Sequence, residues 1–106
     1  MRAKRSDRNH IIYQIVGPQG IYVGVTAKTE TTVLKSVRAR IATHFYRAQR
    51  ETKAWALCDL LRGYASKDDI EVRVMEIVRG KQAAHARERE LIRELNPVYN
   101  TDKRGV

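Results

Sequence analysis

Between Ile11 and Gly24, two short apolar runs flank the turn Gly17-Pro18-Gln19-Gly20, and this pattern limits the fold more than any other stretch. Ile, Val and Tyr dominate both runs, and such residues suit a pleated, half-buried surface. Gly and Pro between them mark a reversal of the chain. The pattern predicts a β-hairpin with strands over residues 9–16 and 20–25. Each strand carries one tyrosine, in Ile11-Ile12-Tyr13 and in Tyr22-Val23-Gly24. On the hairpin alone, packing is the simplest role for both. A phenol held out of bulk water can also serve as an acid or base.

The rest of the chain alternates between the two periodicities. A polar stretch over residues 26–32 reads as a loop, with Thr31 or Thr32 as the cap of a helix. Val33, Val37, Ile41, Phe45 and Ala48 then recur at helical spacing, so the first helix ends near Arg50. Ala54, Trp55, Leu57, Cys58, Leu61 and Tyr64 mark a second helix that stops near Gly63. Ile70, Val72 and Val74 alternate with Glu71, Arg73 and Met75, which predicts a third strand over residues 70–78. Gly80 breaks it, and a third helix follows over residues 81–95, ended by Asn96-Pro97. Val98-Tyr99-Asn100 is expected to pack back. The order ββααβα predicts an α+β fold, a small three-stranded and mostly antiparallel sheet flanked by helices. Residues 9–100 form one domain, 1–8 a basic arm and 101–106 a loose tail.

Charge narrows the function. Lys and Arg number 21 against 12 Asp and Glu, for a net charge of +9. A field of this sign points to a polyanion, nucleic acid ahead of a membrane surface. No apolar run approaches the roughly 18 residues of a membrane span. No apolar segment follows the basic N-terminus, so a secretory signal is not expected. The single cysteine, Cys58, excludes an intrachain disulfide and a Cys-based zinc cluster. It reads as a buried helix residue in a reducing, cytoplasmic compartment. Lys35, Arg38, Arg40, Arg47, Arg50 and Lys53 stand against one acid, Glu51, across residues 33–53. With Lys28 in the preceding loop, they are the expected phosphate-contact surface.

Three polar residues sit where apolar ones are expected. The stripe of the third helix is Ala84, Leu91 and Leu95, with Ile92 on its shoulder, and Glu88 falls inside it. A carboxylate at the edge of a core needs a partner. Arg87 is one candidate, and the run Arg87-Glu88-Arg89-Glu90 also reads as a solvated face. Arg40 and His44 lie four residues apart on one face of the first helix, beside the apolar positions Ile41 and Phe45. Arg40 offers a planar cation suited to phosphate, and His44 a group that moves protons near neutral pH. His10 and His85 lack such a partner and are assigned to the surface.

The series of two hairpin tyrosines, Arg40-x3-His44, Glu88 and Pro97-x-Tyr99-Asn100 resembles the GIY-YIG nuclease family. The two name-giving motifs read Ile11-Ile12-Tyr13 and Tyr22-Val23-Gly24, so Ile11 stands where the name calls for Gly. The resemblance spans residues 11–100. The stretch over residues 25–39 is longer than in many relatives, which leaves Arg38 as an alternative to Arg40. The resemblance implies a metal-dependent DNA endonuclease with one site per chain, in a bacterial, phage or mobile-element setting. It implies catalytic roles for Tyr13, Tyr22, Arg40, His44 and Glu88. Glu88 would hold one divalent ion, Mg²⁺ with Mn²⁺ as the alternative. Asn100 would support the site. A tyrosine would take the proton of the attacking water, with cations lowering its pKa; Tyr22 and Tyr13 both remain candidates. The DNA partner is double-stranded or branched, and cutting both strands would call for a homodimer. The alternative from another class is a basic nucleic-acid-binding module without catalysis.

Overall fold

A computed structural model describes residues 8–50 and 56–100. Most of the basic arm, Glu51, Lys53, the Ala54-Trp55 start of the second helix and the 101–106 tail lie outside the described residues. The elements are β1 Asn9–Gly17, β2 Gly20–Ala27, α1 Val33–Arg50, α2 Ala56–Arg62, β3 Glu71–Arg79 and α3 Lys81–Leu95. Short 3-10 turns, Lys67–Asp69 and Val98–Asn100, precede β3 and follow α3. The sheet order is β2-β1-β3 and both pairings are antiparallel, so the expected α+β fold is the observed one. No helix among the described residues is long and apolar enough to cross a membrane.

β1 is central and apolar on both faces, and helices cover both. Ile11, Tyr13 and Ile15 pack under α1 and α2, against Val37, Ile41, Phe45, Leu57 and Leu61. Ile12 points to the other face, where it meets Val23 of β2 and Leu91 of α3. The two helix layers therefore lie on opposite sides of the sheet.

Local chemistry sets the ends of the elements. Thr32 caps α1, its hydroxyl accepting from the Lys35 amide at 3.1 Å. Buried Ser36 ties the β2–α1 loop down, accepting from the Thr29 and Glu30 amides and donating to the Thr32 carbonyl. Asn96 ends α3 in the left-handed region at φ 46°, its amide bonded to the Ile92 carbonyl.

Three sequence-based expectations change. The alternation of β3 breaks: Tyr13 pairs with Val74 and Ile12 with Glu76, which leaves Met75 as an extra, bulged residue. Val72 joins the α1/α2 core, Val74 is 41% exposed, and Met75 packs on the α3 face. The extra residue shifts the phase of a period-two pattern. Leu95 is not in the stripe of α3; it is 46% exposed, because the last turn extends beyond the cluster that ends at Ile92. Cys58 is half-buried at the rim of the core rather than enclosed.

Candidate functional site

Tyr13 lies on the central strand, fully buried, and Gly24 is its cross-strand neighbour on β2. Two residues before Gly24, Tyr22 points to the same face, and the two rings sit 6.4 Å apart at 48°. Gly24 makes room for them. A Cβ there would lie 2.7 Å from both the Tyr13 ring and its hydroxyl, and 2.8 Å from the Tyr22 ring. The last residue of Tyr22-Val23-Gly24 is therefore a packing requirement of the tyrosine pair, at ordinary backbone angles.

α1 adds the cationic side. His44 meets Tyr22 edge-on, with ring centroids 6.3 Å apart. Burial, then the charges of Arg40 and Arg47, push the His44 imidazole down to about 4, so it is neutral at physiological pH. Its Nε2 is buried and has no hydrogen-bond partner. Arg40 is exposed, and its charge draws both tyrosine hydroxyls toward ionisation. No bond of good geometry joins Arg40 to the Tyr13 hydroxyl, which is also buried and unpartnered. The choice between Arg40 and Arg38 is a matter of direction: Arg38 donates to the Ile70 carbonyl at 2.8 Å, away from the tyrosines.

α3 brings Glu88. Arg87 does not pair with it, because Arg87 donates to Glu76 at 2.7 Å and to Glu90 at 3.0 Å. His85, one turn earlier, lies 3.6 Å from Glu88, Nδ1 to Oε1. That is ion-pair range but too long for a hydrogen bond. Burial pushes the Glu88 carboxyl up, and His85 and Arg89 draw it back. The Glu88 charge in turn raises both tyrosines. α1 and α3 cover opposite faces of the sheet, and Arg40 of α1 and His85 of α3 line one cavity beside β2.

The net effect on the phenols runs against the expectation of a lowered pKa. Burial is the largest cause for each, and Glu88 adds to it. Tyr22 is pushed up to about 12, and Tyr13 further. Arg40 alone does not overcome desolvation, so both hydroxyls keep their protons at neutral pH.

Asn100, expected to support the site, bonds through its side chain to the backbone of β2. Its Oδ1 accepts from the Val23 amide and its Nδ2 donates to the Val23 carbonyl, each at 2.8 Å. The side chain thus closes the outer edge of β2 beside Tyr22. Tyr99 adds a tie at the hairpin turn, its hydroxyl accepting from the Gln19 amide at 3.0 Å.

The basic residues divide. Lys35, Arg47 and Arg50 are exposed on α1, free to meet a phosphate. Lys28 donates to the Glu30 and Thr31 carbonyls within its own loop, and Lys53 is outside the described residues. The sequence reading missed Arg8 and Lys81, which join Arg40 and His85 around one cavity. It also placed His10 and His85 on the surface. His10 is buried, its Nδ1–H donating to the Arg8 carbonyl at 2.9 Å, and His85 is half-buried beside Glu88. Helical spacing from Glu88 was the one signal that could have found His85.

Among the described residues no three His, Cys, Asp or Glu side chains cluster as a metal cage. Glu88 by itself is a hard oxygen donor, and one carboxylate fits an ion such as Mg²⁺ that keeps most of its waters. Comparison of the chain with protein-family models, with curated proteins and with solved structures finds no match.

Proposed function

We propose that this chain hydrolyses phosphodiester bonds in DNA as an endonuclease of the GIY-YIG kind, with one site per chain. The observation that carries the reading is that Tyr22 lies against both Tyr13 and His44, with rings 6.4 and 6.3 Å apart, while Arg40 and His85, the neighbour of Glu88, line one cavity beside β2. A binding module has no need of a half-buried carboxylate beside a cation, where it repels phosphate.

Arg40 is exposed and binds the scissile phosphate, and it stabilises the charge that develops as the bond breaks. Glu88 would hold a divalent ion. Such an ion, when bound, supplies Lewis-acid polarisation at the phosphate and the leaving 3′ oxygen, and positive charge that favours a phenolate. Tyr22 is half-buried and within reach of water, whereas Tyr13 is sealed. Tyr22 would first give up its own proton to solvent, a state that such an ion would favour, and would then accept the proton of the attacking water, with Tyr13 fixing its ring. Neutral His44 orients Tyr22 or the phosphate. A single site nicks one strand, so cutting both requires two copies.

The test is relaxation of supercoiled plasmid by folded Glu88→Gln and Arg40→Ala variants. Each should lose about 10²–10³ in rate. EDTA should stop the wild type while leaving DNA binding in place. Cleavage by both variants at the wild-type rate removes the site. Metal-independent binding with no cleavage by the wild type assigns the chain to the binding modules instead.

A further inference from the structure

The cavity beside Arg40 holds about 560 Å³, more than the scissile phosphate alone would occupy. Its basic side chains come from three places in the chain: Arg8 just before β1, Arg40 on α1, and Lys81 with His85 at the start of α3. Thr26 and Thr29 add hydroxyls, and no carboxylate among the described residues lines it. Backbone bonds fix its mouth. The Arg8 carbonyl accepts from the Gly80 amide at 3.2 Å and from the His10 ring at 2.9 Å, so Arg8 and Lys81 are held side by side.

Two of these residues also belong to the candidate site. Arg40 acts on the tyrosines, and His85 faces Glu88. The cavity is therefore continuous with the place assigned to the scissile phosphate. We infer that it is a second phosphate subsite, which takes the neighbouring phosphodiester of the same nucleic-acid strand on Arg8 and Lys81. The inference rests on the nuclease reading for the position of the first phosphate, while the binding itself requires no cleavage. Arg8 and Lys81 are permanent cations that line the cavity with no acid among the described residues, which suits a repeating diester whose contacts position the strand without reading its bases. The substrate is then a strand that extends past the scissile bond rather than a single phosphate ester.

The test is binding of a fluorescently labelled duplex oligonucleotide in EDTA, followed by anisotropy across a salt series. The Arg8→Gln/Lys81→Gln variant should bind several-fold more weakly at low salt. Its slope of log affinity against log salt should fall by about 1, the value for one lost phosphate contact. Lys81→Gln alone, a change at an exposed helix position, should give part of that loss and guards against misfolding of the pair. An unchanged slope in the folded double variant overturns the subsite. So does specific competition by inorganic phosphate at matched ionic strength that disappears in the double variant, because it would assign a site for the free ion. Failure of the wild type to cleave in Mg²⁺ would sink the nuclease reading and leave the slope to decide the subsite.

Discussion

Under α1 and α2, the sheet buries Ile11, Tyr13 and Ile15 beneath a layer that includes Val37, Ile41, Phe45, Leu57 and Leu61. Under α3, the buried cluster is Ile12, Val23 and Leu91, ringed by half-buried Ile21, Val25, Met75, Val78 and Ile92, with Ala84 of α3 buried as well. The thinner side is held in part by polar ties, Arg87 to Glu76 and Asn100 to Val23. The candidate site takes a different service from each. The thick side immobilises and dries Tyr13, which is why its hydroxyl keeps its proton so firmly. The thin side carries Glu88, a carboxylate that must stay within reach of water and of an ion.

The largest effect should come from cutting each core. Ile41→Ala is expected to cost about 3–4 kcal/mol and Leu91→Ala about 2 kcal/mol in urea unfolding, because the shallower cluster collapses more easily around a lost side chain. Equal costs would erase the contrast between the faces. Gly24→Ala comes next, at about 1–3 kcal/mol, since a methyl at 2.7 Å from Tyr13 forces the tyrosine rings apart. Its near-ultraviolet circular dichroism should change with its stability. Wild-type values for both would mean that the tyrosine pair tolerates repacking.

The smallest effect is a pH dependence on the thick side. His44 is pushed down to about 4, below its unfolded value near 6.5. Its burial is harmless above pH 6.5, and stability is lost as pH falls from there toward 4, where the unfolded chain binds the extra proton. From pH 7 to about pH 5.5 the wild type should lose about 1 kcal/mol more than His44→Gln. Glu88 works in the opposite sense: its carboxyl is raised, so its contribution to stability falls as pH rises through the carboxylate range. The comparison with His44→Gln isolates the imidazole. An NMR titration placing His44 near 6.5 would show that Tyr22 and α1 do not shield it.

Much of this was legible along the chain. The hairpin, α1 and α3 follow from apolar spacing, and the register Ala84-x6-Leu91 singled out Glu88 over Glu90 because a helix repeats every 3.6 residues. The bulge at Met75 was not legible, since a period-two pattern carries no mark of where one residue will be left unpaired. Nor was the fate of Arg38. As a cation on a basic helix it looks like Arg47, yet it is turned to the Ile70 carbonyl, a partner 32 residues away.

Local spacing by itself determined the elements, their order, and that His44 and Glu88 lie on helix faces bordering the core, because backbone geometry projects side chains at fixed periods. Only the tertiary structure decided that Gly24 is the space in which two tyrosines meet, that burial holds their protons, and that Arg8 and Lys81 share a cavity with Arg40 and His85. Desolvation, steric contact and Coulomb attraction act through space, so they join residues whose separation along the chain carries no trace of their meeting.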